Sequence, residues 1–430
     1  MNGNLYKKIF IIIIIISVIF SFIPYTKTVV TLDDQAYVMA IGVDIGTTSK
    51  YKISFQISTL SSSATESSTE SSGNDTSSDS PNDNKTPSNY IINTIDADSI
   101  DSAIIITNSY LNRSINLSHC KILVISEDLA KKGINNIINS LIDKVEIRPD
   151  CNIIVSKITE TEFNESDKPT IEELLYKYYE TTSNIETGRH GYSELVKLTG
   201  FYLNLNDSFS QPYCTLGIVS KSSFNSIEKE NRKSTDLSSQ SRSLTTLPKE
   251  DVKVENIGLA VFKNDTLVGT LSPEETLCHE LLINNLNYSI LSIPSPFDFN
   301  EVIDLQLYTF KKPNVKIKTS NSYNDIDVDI YVIAKLLSFS SRSYNVLTED
   351  NLNNIKNTAS DYLEKHFESY FNKTSKELNS DIGGLGKFAA KHYMTIQKWE
   401  EYNWLENYKN SNFNISVDIS LKAGHLLTNE

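Results

Sequence analysis

Residues 254–276 read VENIGLAVFKNDTLVGTLSPEET, and this stretch decides the fold class. Val254 to Lys263 and Leu267 to Leu271 are two β-rich runs separated by Asn264-Asp265. Asn and Asp tolerate the left-handed backbone that a two-residue hairpin turn needs. The polarity pattern then changes within one residue. Ser272-Pro273-Glu274-Glu275 places Ser at the N-cap, Pro at the first helical position and Glu at the third, the arrangement of a capping box. A hairpin running directly into a capped helix, expected to extend to about Asn285, predicts strands and helices mixed along one chain, and hence an α+β or mixed α/β fold.

The flanking sequence repeats the theme. Strands are expected at 37–43, 51–57, 90–95, 119–125, 151–155 and 213–220 in the first half, and at 302–310, 315–319, 326–336 and 413–421 in the second. Helices are expected from a cap at Asp96 or Asp98 to about Tyr110, at 127–129, 134–141 and 171–179, and in a helical region over 388–404. Thr348-Glu349 opens a long helix expected over 348–382. Leu352, Ile355, Ala359, Leu363, Phe367 and Tyr370 hold helical spacing along it, and Gly383-Gly384 ends it.

Two segments do not read as packed structure. Residues 61–89 are rich in Ser, Thr, Asn and Asp, with Ala64 their only hydrophobic residue. Such a stretch buries too little surface to offset its ordering entropy, and it reads as an insertion between strands. Residues 221–250 are charged and Ser-rich and read as a linker. The expected organisation is an anchor or signal over 1–28, an N-terminal α/β region over 29–220, the linker, and a C-terminal α/β domain over 251–430. These make two or three mixed-sheet domains behind an N-terminal transmembrane helix.

The membrane expectation rests on Ile9, Phe10, Ile11, Ile12, Ile13, Ile14, Ile15, Ile16, Val18, Ile19, Phe20, Phe22 and Ile23, preceded by Lys7 and Lys8. Leu5 to Tyr25 is 21 residues, about 31 Å of helix and close to one bilayer core. The lysines orient the rest of the chain to the outside. A cleaved signal peptide is the competing reading, but residues 21–25 offer no convincing small-residue cleavage site.

Composition narrows the function classes. The 430 residues carry a formal charge of −14 and no Lys/Arg cluster, which argues against a nucleic-acid partner. Cys120, Cys151, Cys214 and Cys278 are too few and too scattered for a disulfide scaffold, and no CxxC pair suggests zinc. Cys120 and Cys151 lie on two expected core strands that could be neighbours; two buried thiols are preferred over a disulfide.

Several motifs tempt. Residues 42–50, GVDIGTTSK, look like a phosphate loop, but a plain β-turn accounts for them. Asp381-Ile-Gly-Gly-Leu-Gly386 follows a helix rather than a strand, so helix termination is preferred over a phosphate cradle. Cys278-His279-Glu280 holds the residue types of a thiol nucleophile and its base. Helical neighbours point about 100° apart, however, and a buried Cys beside a surface His is expected. His119-Cys120 sits on the expected strand, where neighbours point to opposite faces, so it fails similarly. His190 reads as a solvated loop residue, and the aromatics from Tyr393 to Tyr408 as packing rather than a binding face. No catalytic, cofactor or metal residues are nominated.

Four blocks in order resemble the Ger(x)C family, the C-type subunits of nutrient germinant receptors in endospores. They are LDDQAYVMAIGVD (32–44) with YKISFQI (51–57); INLSHCKILVISEDLAKKG (115–133); GLAVFKNDTLVG (258–269) through Pro273-Glu-Glu-Thr276; and KTSKELNSDIGGLG (373–386) with Trp404 and the last strand. Members of that family usually carry a lipobox cysteine before the first acidic pair. Here no cysteine precedes Cys120, so the isoleucine-rich segment replaces lipid as the expected tether. The resemblance implies a non-enzymatic subunit, without cofactor, on the outer face of the spore inner membrane, partnered by integral-membrane A-type and B-type subunits. The rival from another class is a membrane-tethered extracytoplasmic solute-binding protein; an exported hydrolase is a third reading.

Overall fold

Three apolar runs form the centre of the larger sheet. They are β1 (Gln35–Ile45), β5 (Ile122–Ser126) and β6 (Asn152–Ser156), paired in parallel. Every residue of β5 and β6 is buried, as expected of parallel strands covered on both faces. Their side chains divide by parity. Ile41, Val43, Leu123, Ile125, Ile153 and Val155 enter the main core, whereas Ala40, Ile122, Val124 and Ile154 enter a smaller one with Phe163 and Tyr179.

The computed structural model describes residues 11–15, 34–59, 90–144, 146–157, 159, 161, 163, 177–181, 191–219, 254–298, 301–320, 323–339 and 348–422. Two sheets result. The first has nine strands in the order β3 (Tyr90–Ala97), β2 (Tyr51–Ser58), β1, β5, β6, β7 (Tyr213–Val219), β8 (Val254–Lys263) and β9 (Thr266–Leu271), with β4 (Ser114–Asn116) beside β1. Its centre is parallel and both flanks are antiparallel. Helices α1 (Ile100–Tyr110), α2 (Glu127–Ala130), α3 (Asn135–Ile142) and α4 (Leu198–Leu205) accompany it.

The second sheet contains β10 (Ser289–Pro294), β11 (Val302–Thr309), β12 (Asn314–Thr319), β13 (Asn324–Phe339) and β14 (Ser411–Lys422). β13 is its spine, with β11 and β12 along one edge and parallel β14 along the other. Along β13, Ile326, Val328, Ile330 and Val332 are buried, while Asp325, Asp327 and Asp329 alternate with them. One face is thus core and the other polar. The core face lies under α6 (Glu349–Phe371), which buries Ile355, Ala359, Leu363, Phe367, Tyr370 and Phe371. Each such large side chain contributes about 1.5–3 kcal/mol.

Between the sheets runs α5 (Pro273–Ile283). Its start is the capping box read from the sequence: Ser272 Oγ accepts from Glu275 N–H at 3.2 Å, and Glu275 Oε2 accepts from Ser272 N–H at 2.8 Å. The preceding hairpin also forms, with Asn264 at φ 55°.

Several expectations need correction. The hairpin β8–β9, assigned from sequence to the second unit, pairs with β7 and completes the first sheet. Alternation identifies a strand but not its distant partner, so the sheet boundary does not coincide with residue 250. At Gly258 (φ 81°) a Cβ would meet Leu271 O at 2.5 Å, so glycine lets these strands approach.

The cap of α1 is Ser99, not Asp96 or Asp98; those carboxylates are engaged by the β1–β2 turn. The long helix is α-helical only to Phe371 and then widens into a π turn, Asn372–Glu377. There Thr374 and Ser375 hydroxyls bond back to Tyr370 O and Phe371 O, competing with the regular ladder. The 388–404 region breaks into α7 (Gly386–Ala389), a short 3-10 turn, α8 (Ile396–Tyr402) and α9 (Trp404–Asn407). His119 and Cys120 precede β5 rather than lying on it. β4, β10 and α4 were not expected.

Of the apolar N-terminal run, residues 11–15 are helical and exposed. Ile9, Phe10, Ile16, Val18, Ile19, Phe20, Phe22 and Ile23 lie outside the described residues, as do 61–89, 221–250, His190 and most of the helix expected at 171–179. Among the described residues no helix is long and apolar enough to cross a membrane.

Candidate functional site: the seam between the sheets

The most concentrated set of buried polar groups lies where α5 is enclosed by the first sheet and α6. Residues 275–282 of α5 are all buried, and His279 is therefore not the surface residue expected from sequence. A helix with partners on both sides buries its polar face too. His279 Nδ1 lies 3.0 Å from the Tyr370 hydroxyl of α6, and its ring meets Tyr213 of β7 edge-on at 4.6 Å. Burial lowers its pKa to about 3, so it is a neutral imidazole. Its Nε2 has no hydrogen-bond partner among the described residues.

Beside it, Glu280 and Glu194 approach one another. Asn285 Nδ2 donates to Glu280 Oε2 at 2.9 Å and to Glu194 Oε1 at 3.2 Å. Glu280 Oε1 and Glu194 Oε2 are sealed from solvent. Burial raises both pKa values, and for Glu280 the Glu194 charge adds to the effect. Two carboxyls in such a site favour holding a proton between them. Tyr213, also buried, has its pKa pushed up by burial and then by these carboxylates.

The seam extends to the glycine-rich stretch after the π turn. The Asp381 carboxylate is fully buried. It accepts from Leu385 N–H at 3.1 Å, Gly386 N–H at 2.9 Å and the Trp404 indole at 2.8 Å. Burial raises its pKa to about 6 against these stabilising bonds. At Gly386 a Cβ would meet Phe209 O at 2.4 Å and Trp404 Cδ1 at 2.8 Å, so only glycine fits. The glycines therefore let the chain wrap a carboxylate of its own, which goes beyond ending a helix. Ser380 Oγ donates to Phe262 O at 2.6 Å, Gln211 N–H to Asp381 O at 2.8 Å, and Trp399 Nε1 to Ser208 Oγ at 3.0 Å. Lys373 and Glu275 form a buried ion pair at 2.8 Å. These bonds lock α5, α6 and the segment after it to the first sheet.

The other sequence candidates fall elsewhere. The loop resembling a phosphate loop joins β1 to β2, and a carboxylate of the same chain fills it. Asp96 Oδ2 accepts from Thr47 N–H and Oγ1 at 3.2 and 2.6 Å and from Thr48 N–H and Oγ1 at 2.9 and 2.8 Å. These bonds, the Thr47 hydroxyl first, lower its pKa to about 2. Cys120 and Cys151 are buried thiols with sulfurs 3.9 Å apart. Cys278 is buried with its pKa raised by burial, and its side chain does not form a pair with His279. Trp399, Trp404 and Tyr408 are buried. The seam groups missed from sequence, Glu194, Tyr213 and Tyr370, come from three distant segments with no local pattern linking them.

Chemically the seam is a joint. It combines a neutral imidazole, a pair of neighbouring carboxyls, a buried carboxylate held by three donors and an ion pair, and among the described residues no group of three His, Cys, Asp or Glu side chains could hold a metal.

Residues 29–219 match the family described as "Spore germination protein N-terminal domain", and residues 257–424 match "Spore germination B3/ GerAC like, C-terminal". The chain is 21% identical over 318 residues to the putative spore germination protein YfkR of Bacillus subtilis, covering 74% of each chain. It is 20% identical over 178 residues to the spore germination protein GerQC of Bacillus cereus, 41% of this chain and 48% of that relative, so that alignment spans about half of GerQC. The crystal structure of the GerBC protein is similar in fold. It has a TM-score of 0.51 at 13% identity, covering 89% of this chain and 96% of that one.

Proposed function

The chain belongs to the GerAC-like spore germination family, and on that premise we propose that it is the non-catalytic C subunit of a nutrient germinant receptor. The observation that carries this reading is the pair of family matches, in order, across both sheets. The proposed role is assembly. The seam fixes the two sheets as one body, and a rigid body can hold membrane partners in a responsive arrangement at little entropic cost. In this proposal the partners are the A-type and B-type integral-membrane subunits, the site is the outer face of the spore inner membrane, and the isoleucine-rich N-terminal segment is the tether. The test is purification of the tagged full chain from spore membranes under mild detergent. Co-elution of A-type and B-type subunits supports the proposal. Elution without either, under conditions that preserve other membrane complexes, counts against it.

A further inference from the structure

Between Asp381 and Glu400 the sequence has no acidic residue, although 54 of the 430 residues are Asp or Glu. The same stretch carries Lys387, Lys391, His392 and Lys398, all exposed. None of the three lysines pairs with a carboxylate among the described residues; Lys391 lies over the Phe388 ring at 4.8 Å. In a chain of net charge −14 this is a local reversal of sign.

At its apex the chain turns from the 3-10 segment Ala390–His392 into α8 and holds out Met394 and Ile396, 95% and 75% exposed. The base beneath them is firm. Trp399 packs against Tyr393 at 5.6 Å and stacks on Phe209 at 5.4 Å, and Tyr393 meets Tyr402 at 5.1 Å. Thr395 Oγ1 caps α8 by accepting from Lys398 N–H. Glu400 and Glu401, the first acids, lie four and five residues beyond Ile396, about 6 and 7.5 Å along the helix axis, Glu400 on the same helix face as Ile396 and Glu401 on that of Lys398. The tip thus carries two protruding apolar side chains, three exposed lysines and an aromatic base, with the first acids one helical turn beyond Ile396.

We propose that this tip docks on an anionic lipid surface, with Met394 and Ile396 entering the boundary between headgroups and acyl chains and Lys387, Lys391 and Lys398 facing lipid phosphates. Lysine collars around protruding apolar side chains suit anionic bilayers, where attraction is delocalised and falls off within a Debye length. A protein hot spot would instead offer an aromatic or Arg anchor for a pocket; here the aromatics are spent on one another and the tip has no arginine. The proposal adds a contact that the receptor assignment does not require, and it is tested without spores.

The experiment uses the full chain carrying Gln397→Cys, labelled with an environment-sensitive fluorophore; the native thiols are buried and stay unlabelled in the folded protein. The protein is incorporated into vesicles of phosphatidylcholine with or without phosphatidylglycerol. With phosphatidylglycerol, the expected result is a blue shift of the label and quenching by nitroxide-bearing lipids. Both should be lost in phosphatidylcholine alone, on replacing the three lysines by Gln, and with Met394→Ser/Ile396→Ser. Circular dichroism checks that the variants fold. A label at exposed Asn357 serves as control and should stay aqueous throughout. The proposal is overturned if position 397 stays as aqueous as 357 in anionic vesicles, or if its response is indifferent to phosphatidylglycerol and to the lysines. A label that is silent on lipid but responds to added membrane subunits would assign the tip to a protein contact instead.

Discussion

The Trp404 indole N–H donates to the Asp381 carboxylate at 2.8 Å in a site from which solvent is excluded. This bond joins the glycine-rich turn after the π segment to the aromatic cluster of α8 and α9. Because Leu385 and Gly386 N–H groups share the same carboxylate, removing it orphans three donors at once. Asp381→Ala is expected to cost about 3 kcal/mol or more, since a buried donor without a partner costs roughly 1–3 kcal/mol. Urea unfolding followed by tryptophan fluorescence reads this directly, because both tryptophans of the chain, Trp399 and Trp404, lie in this cluster.

Gly386→Ala should fail for a different reason. Its Cβ would lie 2.4 Å from Phe209 O, a backbone atom that cannot rotate away. Overpacking of this kind costs about 1–3 kcal/mol. A lowered melting temperature with disturbed tryptophan emission is the expected outcome.

The seam's carboxyls make stability fall as pH rises, whereas its buried His279, with a pKa lowered to about 3 from 6.5, acts in the opposite direction over that interval. Asp381 has its pKa raised to about 6 from 3.8, and Glu194 and Glu280 are raised from 4.5. A carboxyl with a raised folded-state pKa binds its proton more tightly in the folded protein. Its contribution is complete below the unfolded value and is lost as pH rises through the folded one. Between about pH 4 and 6 the Asp381 contribution should therefore decline, at up to about 1.4 kcal/mol per pH unit for one proton. The glutamate pair should extend the decline above pH 4.5. Glu280→Gln, which keeps the shape and removes the charge, should flatten the curve. The difference in denaturation midpoints between the native chain and Glu280→Gln across this range measures the glutamate contribution apart from that of His279, which both proteins share.

Asp96 should behave oppositely. Its pKa is lowered to about 2, chiefly by the Thr47 hydroxyl. Its contribution is present above about pH 3.8 and is lost as pH falls through 2. Asp96→Asn should loosen the β1–β2 turn, seen as faster amide exchange at Thr47 and Thr48, with the rest of the sheet unchanged.

The four cysteines should resist thiol reagents in the folded state. All are buried, and burial raises the pKa of Cys214 and Cys278, while for Cys151 the hydrogen bond to Cys120 comes first and burial second. A thiolate is the reactive species, so titration with a chromogenic disulfide is expected to be negligible until denaturant is added, and then to count four.

How much of this was legible in the sequence depended on range. The capping box at Ser272 and the turn at Asn264 were, because each is set by residues three or fewer apart. The alternation of β13 was too. What sequence could not supply was the partner of each surface. Nothing local says that β8 pairs with β7 rather than with a second sheet, or that His279 meets Tyr370 from 91 positions away. Asp96 stands where a helix cap would, but its partners, Thr47 and Thr48, lie almost fifty residues earlier. β10 escaped because Ser289–Pro294 is short and ends in proline.

The central claim, a C subunit of a nutrient germinant receptor, is tested most directly by deleting the gene and scoring spore germination with nutrients and with calcium dipicolinate, a trigger that bypasses the receptors. The account predicts loss of the response to at least one nutrient, restored by the intact gene, with the dipicolinate response unchanged. Spores that still answer every nutrient when any paralogues are deleted too, or that fail with both triggers, would contradict it.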